Sequence, residues 1–228
     1  AYRLVFSEAD RLPGLIVDRY DDVFVLQSLS LGMDRLLPTW VELLIETFRP
    51  RAMIARNDSP IRLLEGLPQE RRLLAGNLPK RIEVTEGSCR YLVDVWEGQK
   101  TGAYLDQREN RLWAKGWAKG RILDAFSYQG GFSLQLASSA EEVLAIEDSQ
   151  ASAAILKENL SLNRLTNVRV ERDNAFDRLR TLEKAGERFD LVILDPPAFA
   201  KNRSQLPDAC RGYREINLRA LRLLREAG

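Results

Sequence analysis

The feature that most constrains this chain is a rhythm that begins near Arg121. Four short apolar runs, Arg121–Asp124, Glu142–Ile146, Val168–Glu171 and Asp190–Leu194, alternate with amphipathic stretches at Phe132–Ser138, Ser149–Asn163, Phe176–Ala185 and about Tyr213–Glu226. Short runs of buried β-formers separated by helical periodicity predict crossover connections, and hence a parallel sheet with helices on both faces. The earlier part has another texture. Gly14–Asp18 and Val23–Ser28 read as a hairpin across Arg19-Tyr20-Asp21-Asp22. Met33–Phe48 has helical spacing, with Leu36, Leu37, Trp40, Leu43, Leu44 and Phe48 on one stripe, and Pro50 ends it. Ala52–Arg56, Arg81–Glu86 and Cys89–Asp94 read as further strands, whereas Asp58–Pro79, rich in Pro and Gly, is expected to be irregular. The expectation is an α/β protein: a small α+β domain over 1–95, then a ligand-binding domain over 96–228.

Composition removes several classes of chemistry. The 228 residues contain no histidine, which excludes a Ser-His-Asp triad, a Cys-His pair and any histidine-ligated metal within them. Two cysteines, Cys89 and Cys210, cannot make a zinc cluster or a disulfide framework, so no metal is expected. A net charge of +1 gives no global basic field; an RNA partner would need a local patch. No apolar run approaches the roughly 20 residues that cross a bilayer, and no basic-then-apolar leader opens the chain, so a cytoplasmic protein with no membrane partner is expected.

Ligands of open α/β sheets sit outside the carboxyl ends of the strands, near the point where strand order reverses. The first strand here runs into Asp124-Ala125-Phe126-Ser127-Tyr128-Gln129-Gly130-Gly131-Phe132. The glycine fingerprint of dinucleotide sites and the phosphate-cradling Gly-Lys-Ser/Thr loop are both missing. An acid, a short loop and two glycines before a helix suit a nucleoside without phosphates, of which S-adenosylmethionine is the common one. Glu147 ends the second strand, where a carboxylate can accept from both ribose hydroxyls. Asp173 and Asn174 follow the third strand and could accept from an adenine amino group. Each alone also fits a helix N-cap or a solvated turn; three acidic or amide tips in succession are what make the pattern. Asp195-Pro196-Pro197-Ala198-Phe199 closes the fourth strand. The prolines stiffen the turn, Phe199 offers a face to a flat base, and Asp195 would sit where methyl donor and acceptor meet.

Together with Gly98-Gln99-Lys100-Thr101-Gly102, Leu105 to Arg111 (Leu-Asp-Gln-Arg-Glu-Asn-Arg) and Leu12 to Tyr20, the stretches Phe126–Phe132 and Leu194–Lys201 resemble the RlmI-like family. These are class I (Rossmann-like) S-adenosylmethionine-dependent methyltransferases that make 5-methylcytosine in large-subunit ribosomal RNA. The resemblance implies a cofactor pocket shaped by Asp124, Phe126, Ser127, Tyr128, Gly130 and Gly131, with Glu147 on the ribose and Asp173 and Asn174 at the adenine end. Asp195 would position the reacting groups, Pro196, Pro197 and Phe199 would meet the substrate, and Lys100, Gln107 and Arg108 would reach over the cofactor. Without the resemblance, that last segment reads as a solvated linker with a helix start at Arg108–Trp117.

The family usually carries Thr where Gln129 stands and often an acid where Asn174 stands, which implies tuning rather than loss. It also has a PUA RNA-binding domain at its start and a later fifth strand whose cysteine attacks cytosine. The expectation is therefore a parallel sheet truncated after strand 4, in a fragment that lacks the nucleophile. Carbon 5 of cytosine is a poor nucleophile until a thiolate adds at carbon 6. Cys89 reads as a small buried hydrophobe on a strand and Cys210 as a loop residue beside Arg211, neither well placed for that attack. Strand Asp190–Leu194 would be an exposed apolar edge, open to a homodimer. The alternatives are an exocyclic-amine methyltransferase acting on adenine or guanine, since Asp-Pro-Pro-aromatic also resembles that motif, and a non-catalytic RNA-binding module using Arg71, Arg72, Lys80 and Arg81.

Overall fold

The computed structural model describes residues 1–200 and 202–226. The chain divides into two compact units, Ala1–Glu86 with Tyr91–Gln107, and Gly87–Arg90 with Arg108–Gly228.

The first unit is built on a five-stranded sheet. Its strands are β1 (Tyr2–Phe6), β2 (Leu15–Tyr20), β3 (Val23–Ser28), β4 (Ala52–Asn57) and β5 (Glu70–Gly76), in the order β1-β2-β3-β4-β5. Helix α1 (Leu31–Phe48) is the crossover that lets β3 and β4 run parallel, while the other pairs are antiparallel. Ser30 caps α1 by accepting from the Met33 amide. Leu37 and Leu44 of α1 pack on Leu15, Val17, Phe24, Leu26 and Met53.

Several expectations are corrected here. Leu36 and Leu43, placed on the buried stripe, are 48% and 45% exposed. A helix lying on one sheet face buries only a narrow arc, and Met33, Trp40, Val41 and Phe48 complete it on the other flank. The Asp58–Pro79 region is not irregular throughout: it contains β5 and a 3-10 segment at Pro60–Glu65. Glu-Arg-Arg-Leu-Leu-Ala-Gly shows no period-2 alternation because it is an edge strand with a register shift against β4. Strand β1 gave no separate sequence signal. The hairpin of β6 (Ile82–Glu86) and β7 (Cys89–Val93) forms a two-stranded sheet.

The second unit holds α2 (Arg108–Ala114), β8 (Arg121–Ala125), α3 (Gly131–Ala137), β9 (Glu142–Ile146), α4 (Gln150–Leu162), β10 (Val168–Glu171), α5 (Ala175–Lys184), β11 (Leu191–Leu194) and α6 (Leu206–Leu223). Its four strands are all parallel, in the order β10-β9-β8-β11. The alternation of side chains sorts the core into two layers. Leu123, Leu144 and Ile146 pack with Ala175, Leu179 and Leu182 of α5 and Ile216 and Leu223 of α6. Ile122 and Val143 pack on the other face, with Ala114 of α2 and Leu136 and Ala137 of α3.

The order reverses at β8, which has β9 on one side and β11 on the other, so the carboxyl ends of β8 and β11 bound the crevice where ligands of such sheets bind. Strand β11 is the edge, as expected, but its residues are half-buried. Beyond α6 the chain returns alongside its start, with the Phe189 amide donating to the Leu223 carbonyl and the Arg225 amide to the Phe189 carbonyl. Helix α6 begins seven residues earlier than the spacing suggested, so Cys210 lies exposed on a helix and not in a loop. Pro207 is tolerated there because the first-turn amides need no intrahelical acceptor. Lys201, the last residue of the Leu194–Lys201 motif, lies outside the described residues.

Candidate cofactor site

Asp124 is the centre of the site. It shares a sheet face with Ile122 and so points toward α3, where its Oδ2 accepts from the Ser133 amide at 3.0 Å and the Ser133 hydroxyl at 2.5 Å. Its Oδ1 is buried and has no hydrogen-bond partner among the described residues. Burial pushes the carboxyl up to about 7, against the pull of the two Ser133 hydrogen bonds, and the Asp195 and Glu147 charges add to the rise. An orphaned carboxylate oxygen in a dry cleft is costly unless a donor or cation completes it.

The loop after β8 wraps around this group. Phe126 (φ 67°) and Tyr128 (φ 49°) adopt the left-handed backbone that side chains disfavour, and Gly130 (φ 89°) follows. At Gly130 a Cβ would also lie 2.0 Å from Leu156 Cδ1, so the turn closes tightly on α4. Ser127 anchors the loop through its amide and hydroxyl, both on the Ile146 carbonyl. The Asn159 amide group donates to the Gln129 carbonyl. Gly131 lets the Arg111 side chain approach, within 3.0 Å of where a Cβ would stand.

Glu147, at the end of β9, is half-buried. Its Oε2 accepts from the Tyr128 amide and its Oε1 from the Ser149 amide, each at 2.8 Å. Burial raises its pKa, the two amides oppose the rise, and Asp148 adds to it. Each oxygen retains a further lone pair, so a pair of ribose hydroxyls is within its capacity. Asp173 and Asn174 do what their local sequence dictates. Asp173 accepts from the Asn174 amide, and Asn174 caps α5 by accepting from the Phe176 amide at 3.1 Å.

Phe199 belongs to an aromatic cluster. Its ring centroid lies 4.4 Å from Tyr213, 5.4 Å from Phe176 and 6.4 Å from Phe126. Its amide meets the Tyr213 hydroxyl. Pro196 is half-buried and Pro197 exposed. Arg108 is exposed at the start of α2, 3.8 Å from Glu109. Lys100 and Gln107 belong to the first unit. The Lys100 Nζ lies 2.8 and 2.9 Å from the two Asp106 oxygens and 4.5 Å over the Tyr104 ring. Arg71, offered as part of a phosphate patch, is bonded to Asp58 and Glu97.

Sequence reasoning missed Ser133, Arg111, Asn159, Phe176 and Tyr213. Spacing offered one signal: Ser133 lies nine residues after Asp124, at the third position of α3, where a helix start can meet the preceding strand end.

The comparisons with known proteins bear on this site directly. A family model described as S-adenosylmethionine-dependent methyltransferase matches residues 68–228. The chain belongs to this family. Curated relatives from Yersinia pseudotuberculosis and Yersinia pestis, named ribosomal RNA large subunit methyltransferase I, are 41% identical over the whole chain. The chain spans 59% of their length. Among solved structures, one described as a SAM-dependent methyltransferase from Streptococcus mutans matches with a TM-score of 0.82 at 22% identity, covering all of this chain and 58% of that one. The SAM-dependent methyltransferase from Agrobacterium tumefaciens matches at 0.69 and 20% identity, covering 93% and 67%. These likenesses establish the fold, a class I methyltransferase sheet.

S-adenosylmethionine is the family's cofactor, and the donor set fits it. A buried carboxylate oxygen without a partner suits the cationic methionine end, and a half-buried carboxylate at the next strand suits the ribose. Among the described residues no cluster of His, Cys, Asp or Glu could hold a metal ion, and no helix is long and apolar enough to cross a membrane.

Proposed function

We propose that this chain forms the cofactor-binding part of a methyltransferase acting on large-subunit ribosomal RNA, at carbon 5 of a cytosine. The observation that carries the cofactor half is Asp124, a buried carboxylate with an unsatisfied oxygen at the reversal point of a parallel sheet. The names of the 41% identical relatives support the RNA half, and with it a cytoplasmic location.

When bound, the cofactor supplies an electrophilic methyl group on a sulfonium. Asp124 would hold the methionine ammonium, Glu147 the ribose hydroxyls, and Asp173 and Asn174 the adenine end through capacity left after capping α5. The left-handed turns at Phe126 and Tyr128 turn the loop backbone toward the crevice. Phe126, Phe176, Phe199 and Tyr213 wall the fourth-strand side and exclude water, and Asp195 lies close enough to raise the Asp124 pKa. Alignment of donor and acceptor in such a cleft supplies much of the acceleration.

Carbon 5 also needs a thiolate. Cys89 is buried with its S–H on the Leu134 carbonyl at 3.3 Å, and Cys210 is exposed on α6. These 228 residues are therefore expected to bind S-adenosylmethionine and S-adenosylhomocysteine, but not NAD, in calorimetry, and to incorporate no labelled methyl into ribosomal RNA. Binding of NAD alone sinks the cofactor reading. Robust incorporation means that Cys210 acts or that the chemistry uses no thiolate, and mass spectrometry of the modified nucleoside then tells carbon 5 from an exocyclic amine. The remaining edge of β11 is proposed to pair with a second copy; a monomer by light scattering excludes that.

A further inference from the structure

Residues Trp113–Gly120 repeat the tetrapeptide Trp-Ala-Lys-Gly twice, outside every motif used above. Helix α2 buries Arg111 and Ala114, the latter against Ile122, Leu136 and Val143. The indoles of Trp113, on α2, and of Trp117, three residues beyond its end, are exposed instead. Trp113 is 71% and Trp117 62% exposed, with ring centroids 5.8 Å apart and planes tilted by 57°. They are two of the chain's four tryptophans. Lys119 is exposed two residues after Trp117, and half-buried Lys115, between the two indoles in sequence, reaches the Ser88 hydroxyl at 3.3 Å. The neighbouring carboxylates are Glu109, 3.8 Å from Arg108, and Asp190, which is kept ionised chiefly by the Arg121 amide donating to it, then by Arg225, with Lys119 adding to the effect. Arg121 is taken up by Glu142 and Glu187. The face is therefore aromatic and locally cationic on a chain of net charge +1.

We infer that this tryptophan–lysine face of the second unit docks single-stranded RNA, with unpaired bases stacking on the two indoles and backbone phosphates meeting Lys115 and Lys119. It deepens the RNA reading above and rests on it. Exposed indoles would also serve a protein partner, since tryptophan is favoured at interface hot spots. A lysine two positions after each tryptophan favours a polyanion. Bases supply flat rings of matching size, and stacking tolerates any sequence.

The test titrates the full chain into end-labelled single-stranded U and A oligonucleotides, following the label's anisotropy, with tryptophan fluorescence as a second readout for the wild type. Quenching on binding is expected. The double variant Trp113→Ala/Trp117→Ala should bind about ten- to a hundred-fold more weakly at an unchanged salt slope. Trp113→Phe/Trp117→Phe should recover most of the loss. Lys119→Ala should instead lower the salt slope by roughly 0.7. Calorimetric affinity for S-adenosylmethionine should stay unchanged in all of them, which also shows that they fold. If the wild type binds RNA and the double alanine variant binds it equally well, the inference is overturned and the RNA reading stands. If the variant loses only self-association, the face belongs to a second copy and the inference is likewise overturned. If the wild type binds S-adenosylmethionine but neither RNA, both readings fall.

Discussion

Three buried ions of the first unit and one of the second meet opposite surroundings. In the first unit Arg62, Asp18 and Arg56 are held by protein groups. Arg62, fully buried, donates from Nε to the Pro68 carbonyl and from Nη1 to Asp34, the Ser28 hydroxyl and the Ser28 carbonyl. Asp18, also fully buried, takes a two-pronged bond from Arg3 and another from the Thr101 hydroxyl. Arg56 reaches the Val95 and Gly98 carbonyls. In the second unit, Asp124 keeps one oxygen empty, and the loop over it holds two non-glycine residues at positive φ. Saturated charge is architecture, while unsaturated charge beside strained backbone marks a place built to receive something.

That contrast can be broken or sharpened by substitution. The largest effect is expected at Arg62→Ala, which strands Asp34 and two Ser28 acceptors. Asp34 is 29% exposed and keeps the Ser28 hydroxyl, so the loss lies at the lower end of the roughly 3–5 kcal/mol for breaking a buried pair, read as a fall in Tm; a cost under about 1 kcal/mol would deny that the charge is structural.

Asp124→Asn should behave differently. Its affinity for S-adenosylmethionine should drop roughly ten- to a hundred-fold, the value of a hydrogen bond to a charged group, while its stability holds or rises. The pH dependence follows from linkage. The folded carboxyl keeps its proton up to about 7, and the unfolded one releases it near 3.8, so the folded state binds more protons between these values. Stability from this group therefore falls as pH rises through that window. The Tm difference should shift in favour of Asp124→Asn between about pH 4 and pH 8. Cofactor affinity of the wild type should rise through about pH 7 as Asp124 ionises. A difference flat across pH would mean that Asp124 is an ordinary saturated carboxylate.

Gly130→Ala comes next. Left-handed backbone and the clash with Leu156 together cost about 1–3 kcal/mol and should distort the loop, so both Tm and cofactor affinity decline. The smallest effect is expected at Asn174. Asn174→Ala loses the α5 cap, about 1 kcal/mol. Asn174→Ser restores the cap, so cofactor affinity that stays low in Asn174→Ser assigns the amide to adenine, whereas full recovery leaves it a cap.

Much of the second unit was legible because its signals are local. Four strands and their helices follow from periodicity, and the acids at strand ends follow from counting along the chain. The edges of the first unit were not. Strands β1 and β5 carry no alternation of their own, and pairing partners supply their order. Cys210 was misplaced because the Pro207 that opens α6 reads equally well as part of a loop.

The linear order of residues by itself determined that a parallel sheet would form and that carboxylates would line up at its carboxyl ends, since both depend on neighbours a few positions apart. Only the folded chain decided which of those carboxylates is left wanting. Ser133 satisfies one oxygen of Asp124 and none of the described residues satisfies the other, while Asn174 turns back to cap its own helix. Which lone pairs remain open depends on groups brought together across the fold, and no local pattern encodes them.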